Sequence, residues 1–303
     1  MIRRDSGLRL PVLASLLTLA LTTPAFALPV GTQEELQQAA AEAQSLAPSW
    51  EELDAAAVDF TAIVALSNCS GSLVKFVNSR TSDFAMVLTN GHCTGSFIPA
   101  GDARVNVASS RTFKLLSSNG KSNVGTLSAS KLIYGTMTGT DMALYLLTST
   151  YAQIASRYRV APLLISDSHP AAGTAIRVVS GFWRKIYSCT ISKFVPQLTE
   201  GSWTWQDSIR YSEPGCEVIG GTSGSPIISA SSYEVIGVNN TTNESGARCT
   251  VDNPCEVDSM GNVTVEKGAS YGQQLYQLYT CVNSSNGIDL NIPGCKLQKP
   301  ATP

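Results

Sequence analysis

Histidine is the scarcest reactive residue in this sequence, with only His92 and His169 among 303 positions. Two are too few for a His-rich metal site. Charge is also sparse, at 15% of residues, and 21 Lys and Arg nearly balance 23 Asp and Glu. A nucleic-acid partner normally shows as a basic excess on a face or tail, so this balance counts against one. Beyond the N-terminal region no apolar run approaches the ~20 residues that a membrane-crossing helix needs. The eight cysteines, at 69, 93, 189, 216, 249, 255, 281 and 295, form no C-x-x-C pair, and neither histidine sits in a Cys/His ligand array. Zinc is therefore not expected, and no other cofactor is implied. What the chain does have is 24 glycines, abundant Ser and Thr, and 43% hydrophobic residues. That is the texture of a turn-rich β protein with ample material for a core.

The N-terminus explains part of the apolar content. Arg3, Arg4 and Arg9 form a positive stretch, Pro11 to Leu21 is uncharged and apolar, and Ala25-Phe26-Ala27 supplies a small-x-small cleavage pattern. These features predict a signal peptide over residues 1–27, removed after Ala27, and a secreted or periplasmic mature protein with no membrane association. In an oxidising compartment an even cysteine count reads as four disulfides. Residues 28–59 then hold seven acids and no Lys or Arg. Within them Thr32 with Glu35, and Ser49 with Glu52, fit the S/T-x-x-E capping box, and Leu36, Ala39, Ala40, Ala43 and Leu46 recur at helical spacing. Two readings stay open: a prosegment that is removed and can bind the mildly basic body, or a surface helix that the mature protein keeps.

From Phe60 onward short apolar runs alternate with Gly, Ser and Asn. Ala62 to Leu66, Phe84 to Leu88, Ala175 to Val179, Pro226 to Ile228 and Val235 to Val238 are examples. Short strands at close spacing indicate a sandwich or barrel rather than βαβ units. One late helix is expected over Tyr271 to Val282, where Leu275, Leu278 and Tyr279 recur at helical spacing.

Three segments carry the elements of nucleophilic catalysis. Leu88-Thr89-Asn90-Gly91-His92-Cys93 ends an apolar run in a turn that presents a histidine. Thr140-Asp141-Met142-Ala143-Leu144-Tyr145-Leu146 leads an aspartate into a buried-looking strand, where its carboxylate can be aimed at an imidazole. Gly220-Gly221-Thr222-Ser223-Gly224-Ser225-Pro226 surrounds one serine with glycines, which permits a tight turn that exposes Oγ and points backbone N–H groups at a developing oxyanion. The nucleophile-elbow order of α/β-hydrolases is excluded because no histidine follows Ser223. A subtilisin-like order is excluded because no suitable Asp block precedes His92.

These segments resemble the T-A-A-H-C, D-I-A-L and G-D-S-G-G-P blocks of the chymotrypsin/trypsin-like serine proteases, in that family's order, at intervals of 49 and 82 residues. Cys69-Ser70-Gly71-Ser72-Leu73 is similar to the C-G-G-S-L that precedes the family's histidine block, and so implies a Cys69–Cys93 disulfide. The resemblance spans roughly residues 60 to 282. It implies an all-β fold of two six-stranded antiparallel β-barrels with a C-terminal helix, as a protease domain over residues 60–295. It also implies a catalytic triad of His92, Asp141 and Ser223, with Gly221 and Ser223 forming the oxyanion hole. The partners would be polypeptide substrates of a monomeric enzyme, with a catalytically silent trypsin-fold binding protein as the alternative. Thr222 stands where the animal enzymes carry an Asp that pairs with a new N-terminus, and G-x-S-G-S-P is closer to the bacterial branch. Cys216 departs from the family offset, so Cys189–Cys216 is a guess, and Cys249–Cys255 and Cys281–Cys295 follow by proximity. Glu217, six residues before Ser223, is placed by the resemblance at the floor of the specificity pocket, with Asn239 and Asn240 on the substrate-binding strand edge. His169, in Ser168-His169-Pro170, reads as a surface turn residue.

Overall fold

The structure, a computed structural model, describes residues 59–302. The signal-peptide expectation, and the prosegment expectation but for Asp59, lie outside the described residues.

The first barrel is built from β1 (Ile63–Ala65), β2 (Ser70–Lys75), β3 (Phe84–Thr89), β4 (Ala103–Ala108), β5 (Thr112–Leu116), β6 (Asn123–Thr136) and β7 (Met142–Thr150). Six of these close an antiparallel ring in the order β1-β5-β6-β7-β3-β2, with β4 paired to the far half of β6. The helix α1 (Tyr151–Tyr158) follows, its start fixed by a capping box between Thr150 and Gln153. A two-residue strand, β8 (Leu163–Leu164), runs parallel to β2.

The second barrel comprises β9 (Ala175–Ser180), β10 (Lys185–Glu200), β11 (Trp203–Tyr211), β12 (Pro226–Ser229), β13 (Val235–Thr242), β14 (Cys255–Val257), β15 (Val263–Thr264) and β16 (Ser270–Gln274). Its ring runs β11-β16-β13-β12-β9-β10 and closes through the β10–β11 hairpin. The pair β14 and β15 extends outward from β10.

Central strands of the first barrel are apolar on both faces, and the pleat sorts their residues between two cores. In β3, Ala85 and Val87 enter the barrel interior, while Met86 and Leu88 join a core that also holds Val179, Ile228, Val235 and Val238 of the second barrel. In β7, Ala143, Tyr145 and Leu147 face inward and Met142 and Leu144 face the second barrel. Alternate side chains leave a strand on opposite faces, so a strand buried on both reads as an unbroken apolar run.

The late helix differs from expectation. Residues 270–274 are β16, paired with both β13 and β11, and only Tyr276–Cys281 is helical, as a 3₁₀ helix. Sheet pairing on both edges outweighs the helical spacing of the sequence. Leu275 and Leu278 are nonetheless buried, as that spacing requires. The chain then returns across the first barrel. Leu297 is buried, the Tyr134 hydroxyl donates to the Gln298 carbonyl (3.0 Å), and Asp102 Oδ1 accepts the Ala301 N–H (2.8 Å). All four expected disulfides are present: Cys69–Cys93, Cys189–Cys216, Cys249–Cys255 and Cys281–Cys295.

Candidate active site

His92 is positioned by the end of β3. After Thr89 the chain turns through Asn90 and Gly91 into a short 3₁₀ helix, His92–Thr94, which Cys93 ties to Cys69 at the start of β2. Gly91 is required here, since a Cβ would collide with the Thr136 carbonyl and press on Asp141 Oδ1. Asp141 immediately precedes β7, is 1% exposed, and is fully engaged. Its Oδ2 lies 2.7 Å from His92 Nδ1, its Oδ1 accepts the His92 backbone N–H at 3.2 Å, and its own carbonyl accepts from Asn90 Nδ2 at 2.7 Å. With Nδ1 facing the carboxylate, Nε2 is the nitrogen left for the cleft.

Burial alone would lower the His92 pKa. The charge and hydrogen bond of Asp141, with smaller contributions from Glu200 and Asp252, outweigh that and raise it above the ordinary 6.5.

Ser223 comes from the second barrel, in the loop before β12, and shares an open cleft of about 620 Å³ with His92 and Asp141. Its Oγ faces the Asn240 carbonyl at 3.4 Å. Its carbonyl accepts the Ser70 N–H (2.8 Å), which docks the loop onto the first barrel. Gly221 has φ +88°, a conformation that favours glycine. Neither the Gly221 nor the Ser223 N–H donates to another backbone group among the described residues.

Behind the loop runs a buried polar chain. The Tyr211 hydroxyl donates to Asn239 Oδ1 (2.9 Å), Asn239 Nδ2 donates to Thr222 Oγ1 (3.1 Å), and Thr222 Oγ1 donates to the Ile219 carbonyl (2.5 Å). Burial pushes the Tyr211 phenol well above its ordinary value, so it remains a donor. Asn239, expected on the substrate strand edge, therefore spends its amide inside this chain. Asn239 and Asn240 both line the cleft.

Glu217 does not reach the cleft. It is exposed and borders a separate depression with Tyr211, Cys216 and Gly268. The cause is local: Cys216 is bonded to Cys189 on β10 and Val218 is buried in the second barrel's core, which turns the intervening side chain outward. His169 is also remote, next to Asp207 and Gln274.

Besides Asp141, the cleft is lined by Glu200, at the tip of the β10–β11 hairpin, and by Asp252 and Glu244. Nothing in the local pattern Thr199-Glu200-Gly201-Ser202 signals this. Glu200 meets its neighbours through contacts about 50 residues away in sequence.

The trypsin-like peptidase domain family matches residues 69–238, more than half of the chain, and the chain belongs to that family. Among solved structures it is similar to the Rv3671c protease of M. tuberculosis, at 13% identity and TM-score 0.44, with 82% of this chain and 86% of that one covered. It is similar too to the MamO protease domain of Magnetospirillum magneticum, at 12% identity and TM-score 0.45, covering 72% and 93%. A Nocardiopsis protease aligns at 15% identity and TM-score 0.39, covering 72% and 92%. No curated protein sequence matches.

Proposed function

We propose that the protein is an exported serine endopeptidase that cleaves peptide bonds through an acyl-enzyme intermediate. The observation that carries this reading is the buried Asp141–His92 pair opening onto the same cleft as Ser223. Ser223 Oγ, which donates to the Asn240 carbonyl in this structure, must turn to His92 Nε2 for the reaction to begin. Nε2 takes the hydroxyl proton as Oγ attacks the scissile carbonyl carbon. Asp141 fixes the imidazole tautomer and stabilises the imidazolium. The Gly221 and Ser223 N–H groups receive the developing oxyanion, an interaction worth about 3 to 4 kcal/mol in comparable sites. The imidazolium then protonates the leaving amine. Water activated by the same base releases the acyl group.

Export is supported by four disulfides and by the charged, apolar and small-x-small order of residues 1–27. The prosegment reading of residues 28–59 rests on their acidity, and a monomeric enzyme is expected. N-terminal sequencing of the secreted protein decides the prosegment question: a start at Leu28 keeps the segment, and a start near Phe60 removes it.

The decisive experiment is labelling with a fluorophosphonate and mapping the adduct by mass spectrometry. Modification of Ser223, abolished in Ser223→Ala and His92→Ala, is the expected result. A folded protein that neither labels nor cleaves a casein digest refutes the reading and leaves a silent binding protein.

A further inference from the structure

The peptide plane between Gly220 and Gly221 is one that backbone sterics leave free to turn. A glycine stands on each side, no atom lies within 4 Å of where a Cβ of Gly220 would sit, and Gly221 holds φ at +88°. A half-turn of that plane would carry the Gly221 φ into the negative range that every residue can adopt. The bond is trans, since the one cis peptide among the described residues is Glu213–Pro214. In a trans unit the C=O and the N–H point in opposite directions. Whatever fixes the Gly220 carbonyl therefore fixes the Gly221 N–H, the group assigned above to the oxyanion.

What fixes the carbonyl is a side chain from another loop. Trp183, in the turn between β9 and β10, donates its indole N–H to the Gly220 carbonyl at 2.7 Å. Trp183 is half exposed, and it does not line the cleft, whereas Gly220 does. The indole thus draws the carbonyl outward and leaves the N–H facing the other way. A carbonyl turned inward would harm the site twice, because it removes a donor from the oxyanion and sets the negative end of a dipole in its place.

The same turn reaches the next carbonyl through a buried relay. The Trp183 backbone N–H donates to Ser180 Oγ (3.2 Å), Ser180 Oγ lies 3.0 Å from Ser70 Oγ, and Ser70 Oγ donates to the Gly221 carbonyl (3.2 Å). A hydroxyl has one proton, so with Ser70 donating to Gly221 the Ser180 hydroxyl donates to Ser70, and the relay runs in one direction. Both serines are fully buried. Ser70 stands where the C-G-G-S-L block that this segment resembles has glycine, so the relay belongs to this chain.

The turn is itself fastened. Arg184 donates to the Gly120 carbonyl and to Asn123 Oδ1, each at 3.0 Å, which ties it to the first barrel. The Phe182 ring meets the Trp183 ring edge-on at 5.1 Å, and its N–H donates to Ser70 Oγ at 3.1 Å. Trp183 therefore acts on the loop from a fixed seat.

We propose that Trp183 is a positioning residue for the reaction, which by holding the Gly220 carbonyl keeps the Gly221 N–H aimed at the developing oxyanion. This rests on the peptidase reading above. The interaction it serves strengthens in the transition state, so its loss falls on kcat and leaves KM nearly unchanged.

The test compares the secreted wild-type enzyme with Trp183→Phe and with an enzyme carrying benzothienylalanine at position 183, which keeps the bicyclic ring and exchanges the N–H for sulfur. The second variant preserves the packing, so its result stands even where Trp183→Phe loses stability. On one peptide that wild type cleaves, kcat should fall roughly 5- to 50-fold in both, a part of the 10²–10³ that a lost oxyanion donor costs, with KM within about twofold. The affinity of a peptide trifluoromethyl ketone, whose hemiketal oxygen occupies the oxyanion site, should fall by about the same factor. A benzothienylalanine enzyme with kcat within about twofold of wild type overturns the proposal. A loss of kcat that spares the trifluoromethyl ketone affinity overturns it as well, because the oxyanion site would then be undisturbed. Both results leave the peptidase reading intact. A wild type that neither labels at Ser223 nor cleaves any peptide defeats that reading itself, and this proposal with it.

Discussion

Asp141 and Glu200 are buried carboxylates that line one cleft, one beside each barrel's contribution to it, and they differ in how much of their chemistry is already answered. Asp141 spends both oxygens on His92, through the ring and the backbone N–H. Glu200 spends one on Asp252 and keeps one unanswered. The first arrangement is complete before substrate arrives, as a group that must hold an imidazole in one tautomer has to be. The second leaves a buried oxygen without a hydrogen-bond partner among the described residues. The two arrangements meet at the same histidine, whose pKa both acids raise.

The comparison can be broken most severely on the Asp141 side. Asp141→Asn should lower kcat by about 10⁴, since the amide permits the wrong tautomer, with Ser223→Ala and His92→Ala at least as damaging. Steady-state assay beside circular dichroism checks this; catalysis retained in a folded Asp141→Asn variant contradicts the assigned role.

Next in size is the chain behind the nucleophile. Asn239→Leu cuts the Tyr211–Asn239–Thr222 connection and leaves two buried hydroxyls without that partner, at about 1–3 kcal/mol of stability. We expect a roughly 10- to 100-fold fall in kcat from a loosened oxyanion loop. Tyr211→Phe should reproduce a smaller part of it. An unaltered kcat in both would reduce the chain to a structural filler.

Stability should move in opposite directions for the two acids, and by less. Asp141→Asn should lower the melting temperature. The folded-state pKa of Glu200 lies above its unfolded value, so its contribution to stability is present at acid pH and is lost as pH rises through the folded pKa. Glu200→Gln should therefore match wild type near pH 4 and exceed it near pH 7, by about 0.5–2 kcal/mol. Melting curves at the two pH values decide, and a variant less stable at pH 7 than at pH 4 relative to wild type reverses the argument.

The smallest effect concerns acidity. Only neutral imidazole can take the serine proton, so activity should rise with pH through a midpoint above 6.5. Glu200→Gln removes one of the charges that raise that midpoint and should shift it to lower pH by a fraction of a unit. A pH–rate profile of kcat/KM on a neutral peptide measures the shift. His92 carries the matching stability contribution, full below its unfolded pKa and lost as pH rises through the folded one.

Much of this was legible in the order of residues, for reasons that can be named. The proposed nucleophile, base and acid each sit in a short segment whose turn glycines and apolar flank are local, so His92, Asp141 and Ser223 stand out as candidates in the sequence, and the fold brings the three to one cleft. The first pair of cysteines came with the histidine block. Glu217 misled because a fixed offset before a serine says where a residue lies along the chain, and the bond from Cys216 to Cys189 turned that stretch another way. Glu200 was invisible because its meaning depends on Asp252 and Thr241, which only the closure of the β-ring and the Cys249–Cys255 loop bring near. The late helix failed for a related reason: spacing at Leu275 and Leu278 is real, yet residues 270–274 belong to β13 and β11.

The tail that crosses back over the first barrel has a mechanical corollary. Because Gln298 and Ala301 are tied to Tyr134 and Asp102, a pull on residues 298–302 is borne first by hydrogen bonds to the barrel that carries His92, and the Cys281–Cys295 disulfide passes the remainder to the segment that follows β16. Tension, tethering or a fused cargo at that end would therefore load the barrel that carries His92 before the segment that follows β16.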